Sequence, residues 1–214
     1  MLHLEIYMME RITEKKDGGE NIPAQIKGSE TDAIEKRRFD SESGAIYFYK
    51  QVKHRLLDVN NWAKIAGVPM STFTLTDRQG EEVDRNATDG DHLKINIPAP
   101  GTKTGEGFDW VVIEEVKEEQ FVGGEILTMT VRPSANPTGN DPHTAHFLRD
   151  EATSTFQIKR IGQTVYAEEH GRNEMPNIGT GHKLDNMRNA LVGVGAKIGF
   201  SYPQWKSLVR GLLK

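Results

Sequence analysis

The sequence contains no cysteine in 214 residues. Disulfide staples, thiolate nucleophiles and cysteine-held zinc or iron–sulfur centres are thereby excluded. Long apolar runs are missing too: no stretch approaches the roughly 18 residues that a membrane-crossing helix requires. Met1–Glu10 carries acids within its apolar residues and lacks the basic start of a secretory signal. A cytoplasmic location is the expectation, with no membrane partner. Positive charge is not in excess, since the formal net charge is −4. Without a global positive field, nucleic acid is not an expected partner. Phosphate-cradling and nucleophile-elbow motifs are absent as well; neither GxxxxGK[ST], GxGxxG nor GxSxG occurs, and no cofactor is expected.

Apolar residues amount to 36% of the chain, few enough that part of it should lie outside the core. Residues 1–43 are the polar part, with Lys15–Glu20 and Lys27–Asp32 almost wholly polar or glycine. Such a stretch buries too little apolar surface to offset its ordering entropy, and a flexible N-terminal arm is expected there. Residues 44–214 then form a single α+β domain. Ala45, Tyr49, Val52 and Leu56 recur at helical spacing, and a short helix follows around Trp62. Alternating apolar residues predict about six strands: around Phe73–Leu75, Leu93–Ile97, Trp110–Val116, Ile126–Val131, Ser154–Lys159 and Gln163–Glu168. A further short strand is expected near His146 and Phe147. Short glycine turns between most of the strands imply an antiparallel sheet or partial barrel. Two C-terminal helices close the chain. Met187, Leu191, Val194 and Ile198 form the stripe of one, with Asp185 as its cap. Trp205, Leu208, Val209, Leu212 and Leu213 form the stripe of the other.

Polar chemistry is densest at Glu168–Asn177. His170, Arg172, Asn173, Glu174 and Asn177 fall in a segment that leaves a predicted strand and enters a loop, where scaffolds often present functional groups. An imidazole there can serve as a base or metal ligand, a guanidinium can grip a carboxylate or phosphate, and the amides and acid can orient them. The alternative is a structural network in which these groups satisfy one another. His143 and His146 stand three apart and, with His170, are weak candidates for a metal site. On a strand, however, that spacing points the two rings to opposite faces.

Asn60–Lys64 (NNWAK), Ala152–Phe156 (ATSTF), Glu169–Glu174 (EHGRNE) and Gln204–Val209 (QWKSLV) together resemble a family of uncharacterised bacterial proteins over roughly residues 44–214. The order helix, antiparallel strands, terminal helix also resembles START-like helix-grip domains. That resemblance implies a fold that encloses apolar ligands; here the terminal helix is expected to break at Gly199–Pro203. The leading expectation is a non-catalytic domain that binds a small molecule or protein through His170, Arg172, Asn173, Glu174 and Asn177. A hydrolase or lyase using His170 with Glu174, with or without a metal, and a structural or assembly subunit are the alternatives.

Overall fold

A computed structural model of the chain describes residues 19–67, 71–97, 102–180, 182–198 and 201–214. After a 3-10 turn at Gly19–Asn21 come strand β1 (Ser29–Arg38), helix α1 (Glu42–Leu57), a second 3-10 turn (Val59–Asn61) and the short helix α2 (Trp62–Ala66). Six strands follow: β2 (Thr72–Thr76), β3 (His92–Asn96), β4 (Asp109–Phe121), β5 (Gly124–Pro133), β6 (Thr153–Ile161) and β7 (Thr164–Glu174). Helices α3 (Lys183–Ile198) and α4 (Ser201–Leu212) end the chain. The strands form one antiparallel sheet of seven, in the order β1-β7-β6-β5-β4-β3-β2. The expected α+β class, leading helix and two terminal helices are all present. No helix among the described residues is long and apolar enough to cross a membrane.

Local chemistry accounts for most boundaries. Ser41 caps α1, its hydroxyl accepting the Gly44 amide at 3.1 Å. Gly67, at φ 68, ends α2 in the left-handed conformation that glycine adopts without penalty. The β4–β5 and β6–β7 turns likewise use positive φ at Gly123 and Gly162. One strand lies where none was expected. Within the stretch assigned to a polar arm, Ser29–Arg38 forms the edge strand β1, paired with β7. Its side chains are partly or fully exposed except Ala33, so it carries almost no apolar alternation to read. Conversely, the short strand expected near His146 is reduced to one isolated bridge, Leu148 to Pro176.

The sheet has an inner face, against which the helices pack, and an outer face. Directly paired residues share a face. Inward rows therefore read Val131, Ser154, Gly171, Thr31; then Met129, Phe156, Glu169, Ala33; then Leu127, Ile158, Ala167, Glu35. The matching outer rows are Thr130, Thr155, His170, Asp32 and Thr128, Gln157, Glu168, Ile34. On the inner side Trp62, Phe73, Phe156 and Trp205 form one aromatic cluster, with centroids 4.9 to 6.5 Å apart. Trp205 brings α4 into this cluster, and Leu208, Val209 and Leu212 bury the rest of its stripe. Arg37 and Arg55 fix its far end, donating to the carbonyls of Leu213 and Leu212 at 3.2 and 2.8 Å.

Helix α3 is held differently from expectation. Met187 is exposed rather than part of a buried stripe, while the side chains of Leu191, Val194 and Ile198 lie outside the described set. Gly199 also lies outside it. Asp185 does not cap the helix; its carboxylate accepts from the Lys103 and Thr104 amides and the Thr104 hydroxyl. Arg188 reaches down to the buried Asp109 of β4 in a two-pronged pair, with contacts of 3.0 and 2.5 Å. Polar anchors thus hold the first half of α3 to the end of the sheet where β4 begins.

Trp205 touches three other aromatic rings, so its truncation leaves a void that four elements cannot easily close. Trp205→Ala is expected to cost roughly 3–5 kcal/mol, read from urea denaturation.

Candidate functional site

Glu168, Glu169 and His170 are consecutive on β7, and the two-residue period sends them to different faces. The strand runs on through Glu174, so the segment expected to be a loop is mostly sheet.

On the outer face His170 sits between two acids. Its Nδ1 lies 2.5 Å from Asp32 Oδ1 and its Nε2 2.9 Å from Glu168 Oε2. Lys159 approaches the same Glu168 oxygen at 2.8 Å. Each ring nitrogen thus faces a carboxylate oxygen. Burial pushes the Glu168 carboxyl up, but the His170 hydrogen bond and the Lys159 charge outweigh it and hold the group below the ordinary glutamate range. Asp32 behaves alike: partial burial raises it, and hydrogen bonds from His170 and Arg172 bring it below its usual value. Arg172 is engaged three ways, by the Thr31 and Gly171 carbonyls and by Asp32. Each of these side chains thus has a partner within the network.

Asn173 and Asn177 have chiefly architectural contacts. Asn173, at φ 56, accepts the Ile26 and Lys27 amides and donates to the Ala24 carbonyl. Asn21, farther back in the same segment, bonds Lys117 and Glu119 on the outer side of β4. Residues 21–27 are therefore tied at one end to β4 and at the other to the end of β7, over the polar outer rows. Asn177 donates to the carbonyls of Thr144 and His146, closing the 141–150 segment onto the chain after β7.

The histidines do not share a centre. His143 is exposed and pairs with Asp141 at 2.6 Å, with His182 at 3.5 Å from the same acid. His146 is buried, stacked on Phe147, and its Nδ1 accepts the Leu148 amide. Burial pushes its imidazole down to about 4, which keeps the ring neutral near neutrality. Among the described residues no group of three or more His, Asp or Glu side chains is placed to hold a metal ion.

The inner face holds what sequence reasoning passed over. Glu169 lies in the row of Met129, Phe156 and Ala33, with 0% of its surface exposed. Neither carboxyl oxygen has a hydrogen-bond partner among the described residues within ordinary geometry. Burial raises its carboxyl well above the usual glutamate range; the nearby Glu174 charge adds to this, and the Ser154 hydroxyl beside it opposes. The next row supplies further polar groups. The buried Thr31 hydroxyl is also without a partner among the described residues, and Ser154 and Gly171 stand beside it. Glu174 bends back over Gly171, its Oε1 only 2.7 Å from where a Cβ on that glycine would sit. A side chain at 171 would also strike the Thr31 hydroxyl. Glycine there leaves Glu169, Glu174, Thr31 and Ser154 gathered at the end of an otherwise apolar wall. Of the five residues expected to bind, only Glu174 belongs to this inner group. His170 faces the opposite side of β7, so the pair needed for a His170–Glu174 hydrolase or lyase is not assembled. The available signal was the alternation of β7 itself, in which Val165, Ala167 and Glu169 share a face.

No family model and no curated protein matches the chain. Solved structures similar to it include Ara h 8.0201, at 10% identity over 86% of this chain and 99% of that one, with a TM-score of 0.40. Major latex-like protein 151 from Panax ginseng is 13% identical, covering 80% and 96%, with a TM-score of 0.36. A protein from Arthrobacter aurescens is 11% identical, covering 87% and 91%, with a TM-score of 0.38. Likeness at this level carries nothing about function.

Two stability predictions follow from opposite signs. Asp32 and Glu168 are lowered in the folded state, so their contribution is present above the unfolded carboxyl values near 4 and is lost as pH falls through the folded ones. His170→Ala should cost about 2–3 kcal/mol at pH 7 and flatten this acid loss in urea titrations. Glu169 is raised, so its burial destabilises the fold progressively as pH climbs above the unfolded value. Glu169→Gln should therefore stabilise the protein at pH 7, and the gain should vanish below about pH 4. A uniform effect across pH would contradict this.

Proposed function

We propose that the chain is a non-catalytic binding domain that takes a small, largely apolar molecule between the inner face of the sheet and the terminal helices, with Glu169 as its polar anchor. The single observation behind this reading is Glu169: a fully buried carboxyl in an apolar row, whose oxygens make no hydrogen bond of ordinary geometry among the described residues and have the Ser154 hydroxyl beside them. Burying such a group unpaired costs about 1–3 kcal/mol or more, a cost that folding alone gives no reason to keep. A bound molecule that supplies the missing hydrogen bonds removes it. Val131, Met129, Phe156 and Ala33 offer the apolar wall, and Ser154, Thr31 and Glu174 the polar end. His170, Arg172 and Asn173 support the site from outside by fixing β1 and the N-terminal segment against β7. With both His170 nitrogens facing carboxylates, no free imidazole is left to act as a base.

Two measurements test the reading. Native mass spectrometry of the untagged full chain should show a non-covalent small-molecule adduct, or saturable uptake of the neutral dye N-phenyl-1-naphthylamine should be seen by fluorescence. Ser154→Phe, which fills the inner row beside Glu169, should abolish either signal while the circular dichroism spectrum stays unchanged. Absence of both signals in the wild-type chain, or uptake indifferent to Ser154→Phe, would show that this face does not bind.

A further inference from the structure

We infer that the free edge of β1 is a self-association surface, on which a second copy of this chain pairs antiparallel about a two-fold axis at Ile34. The pairing joins two seven-stranded sheets into one. The backbone supplies the first argument. The Phe39 amide bonds the Gln163 carbonyl at 2.9 Å, and this pair continues the β1–β7 register. Antiparallel ladders alternate, so the odd-numbered residues of β1 turn their amides and carbonyls to β7. Those of Asp32, Ile34, Lys36 and Arg38 then point the other way. β1 ends the sheet, and among the described residues no hydrogen bond reaches these outward groups. A long open edge is a template for a further strand unless something covers or opposes it.

The side chains determine which strand fits. Glu30, Asp32, Ile34, Lys36 and Arg38 share the outer face and are all exposed, Ile34 at 54%. Acids occupy the first half of this row and bases the second. Antiparallel pairing of two copies about Ile34 sets Glu30 opposite Arg38 and Asp32 opposite Lys36, each twice by symmetry. The two Ile34 side chains meet on the axis, where each covers the other's apolar surface. Inward charges of the same strand are already engaged: Glu35 pairs with Arg210, and Arg37 donates to the Leu213 and Lys214 carbonyls. By contrast, Glu30, Lys36 and Arg38 have no ionic partner among the described residues. Asp32 accepts from His170 and Arg172 through Oδ1 alone, which leaves its second oxygen for Lys36 of the other copy. Exposed ion pairs add little affinity, so the main-chain ladder and Ile34 hold the copies together while the charges set direction and register. A parallel arrangement sets like charges opposite each other.

Sedimentation velocity on the untagged full-length chain, run from about 1 to about 500 µM, should show a reversible monomer–dimer equilibrium. Ile34→Pro removes an outward amide and no β1–β7 hydrogen bond, and should leave a folded monomer. Glu30→Arg and Arg38→Glu each set like charges opposite, twice per dimer, and should weaken dimerisation at least about tenfold. An equimolar mixture of these two variants should dimerise again, because in the mixed pair every reversed charge meets its opposite. A wild-type chain that stays monomeric throughout the range would overturn the proposal. So would a dimer indifferent to Ile34→Pro and to both charge reversals, or a mixture that associates no more strongly than its components. Should Ile34→Pro not fold, the two exposed charge variants and their mixture decide the question.

Discussion

The two-residue period of β7 is the constraint on which the rest of this molecule turns. Because neighbouring strand residues point to opposite faces, Glu168, Glu169 and His170 fall outside, inside and outside although they are adjacent in sequence. The outer pair meets Asp32 and Lys159 across the sheet and becomes an ionic network with every charge answered. The inner acid meets Phe156 and Ala33 instead and is left unanswered. A shift of register by one residue would exchange these environments, placing His170 against the aromatic cluster and Glu169 among its ionic partners. Pairing of β7 with both β6 and β1 over most of its length prevents that shift.

Burial of both faces gives this period its energetic weight. The inner face is covered by α1, α2 and α4 through Trp62, Phe156 and Trp205. On the outer side Thr155 and Gln157 are fully buried and Glu168 and His170 nearly so. A charged network that is fully paired is tolerated in such a setting, whereas a lone carboxyl is costly. The contrast between Glu168 and Glu169, driven below and above the ordinary glutamate range within one strand, expresses that difference. It also separates the two faces: the satisfied side holds β1, β6 and β7 together, and the unsatisfied side is the one to which the proposed binding is assigned.

Much of the architecture was legible because its elements carry strong periodicity. The α1 stripe, the glycine turns at Gly123 and Gly162, and the Trp205–Leu213 stripe all appear where apolar spacing and turn chemistry place them. Strand β1 was not legible, since an edge strand with Ala33 as its single buried residue looks like a solvated tail. The role of Asp185 was missed because its partners, Lys103 and Thr104, lie some 80 positions away. The same distance effect governs the site. Local density drew attention to His170, Arg172 and Asn173, whose partners Asp32, Gln25 and Ala24 stand in the stretch assigned to an arm. Glu169 carries no local mark beyond sharing a face with Val165 and Ala167, and its lack of a partner becomes visible only when the sheet is assembled.

The most direct measurement is the carboxyl carbon shift of Glu169, followed by nuclear magnetic resonance across pH in the ligand-free chain. A Glu169 that loses its proton at a clearly higher pH than an exposed glutamate is the predicted result. A Glu169 that titrates like an exposed glutamate would contradict the view that this acid is buried in an apolar row without a charged partner.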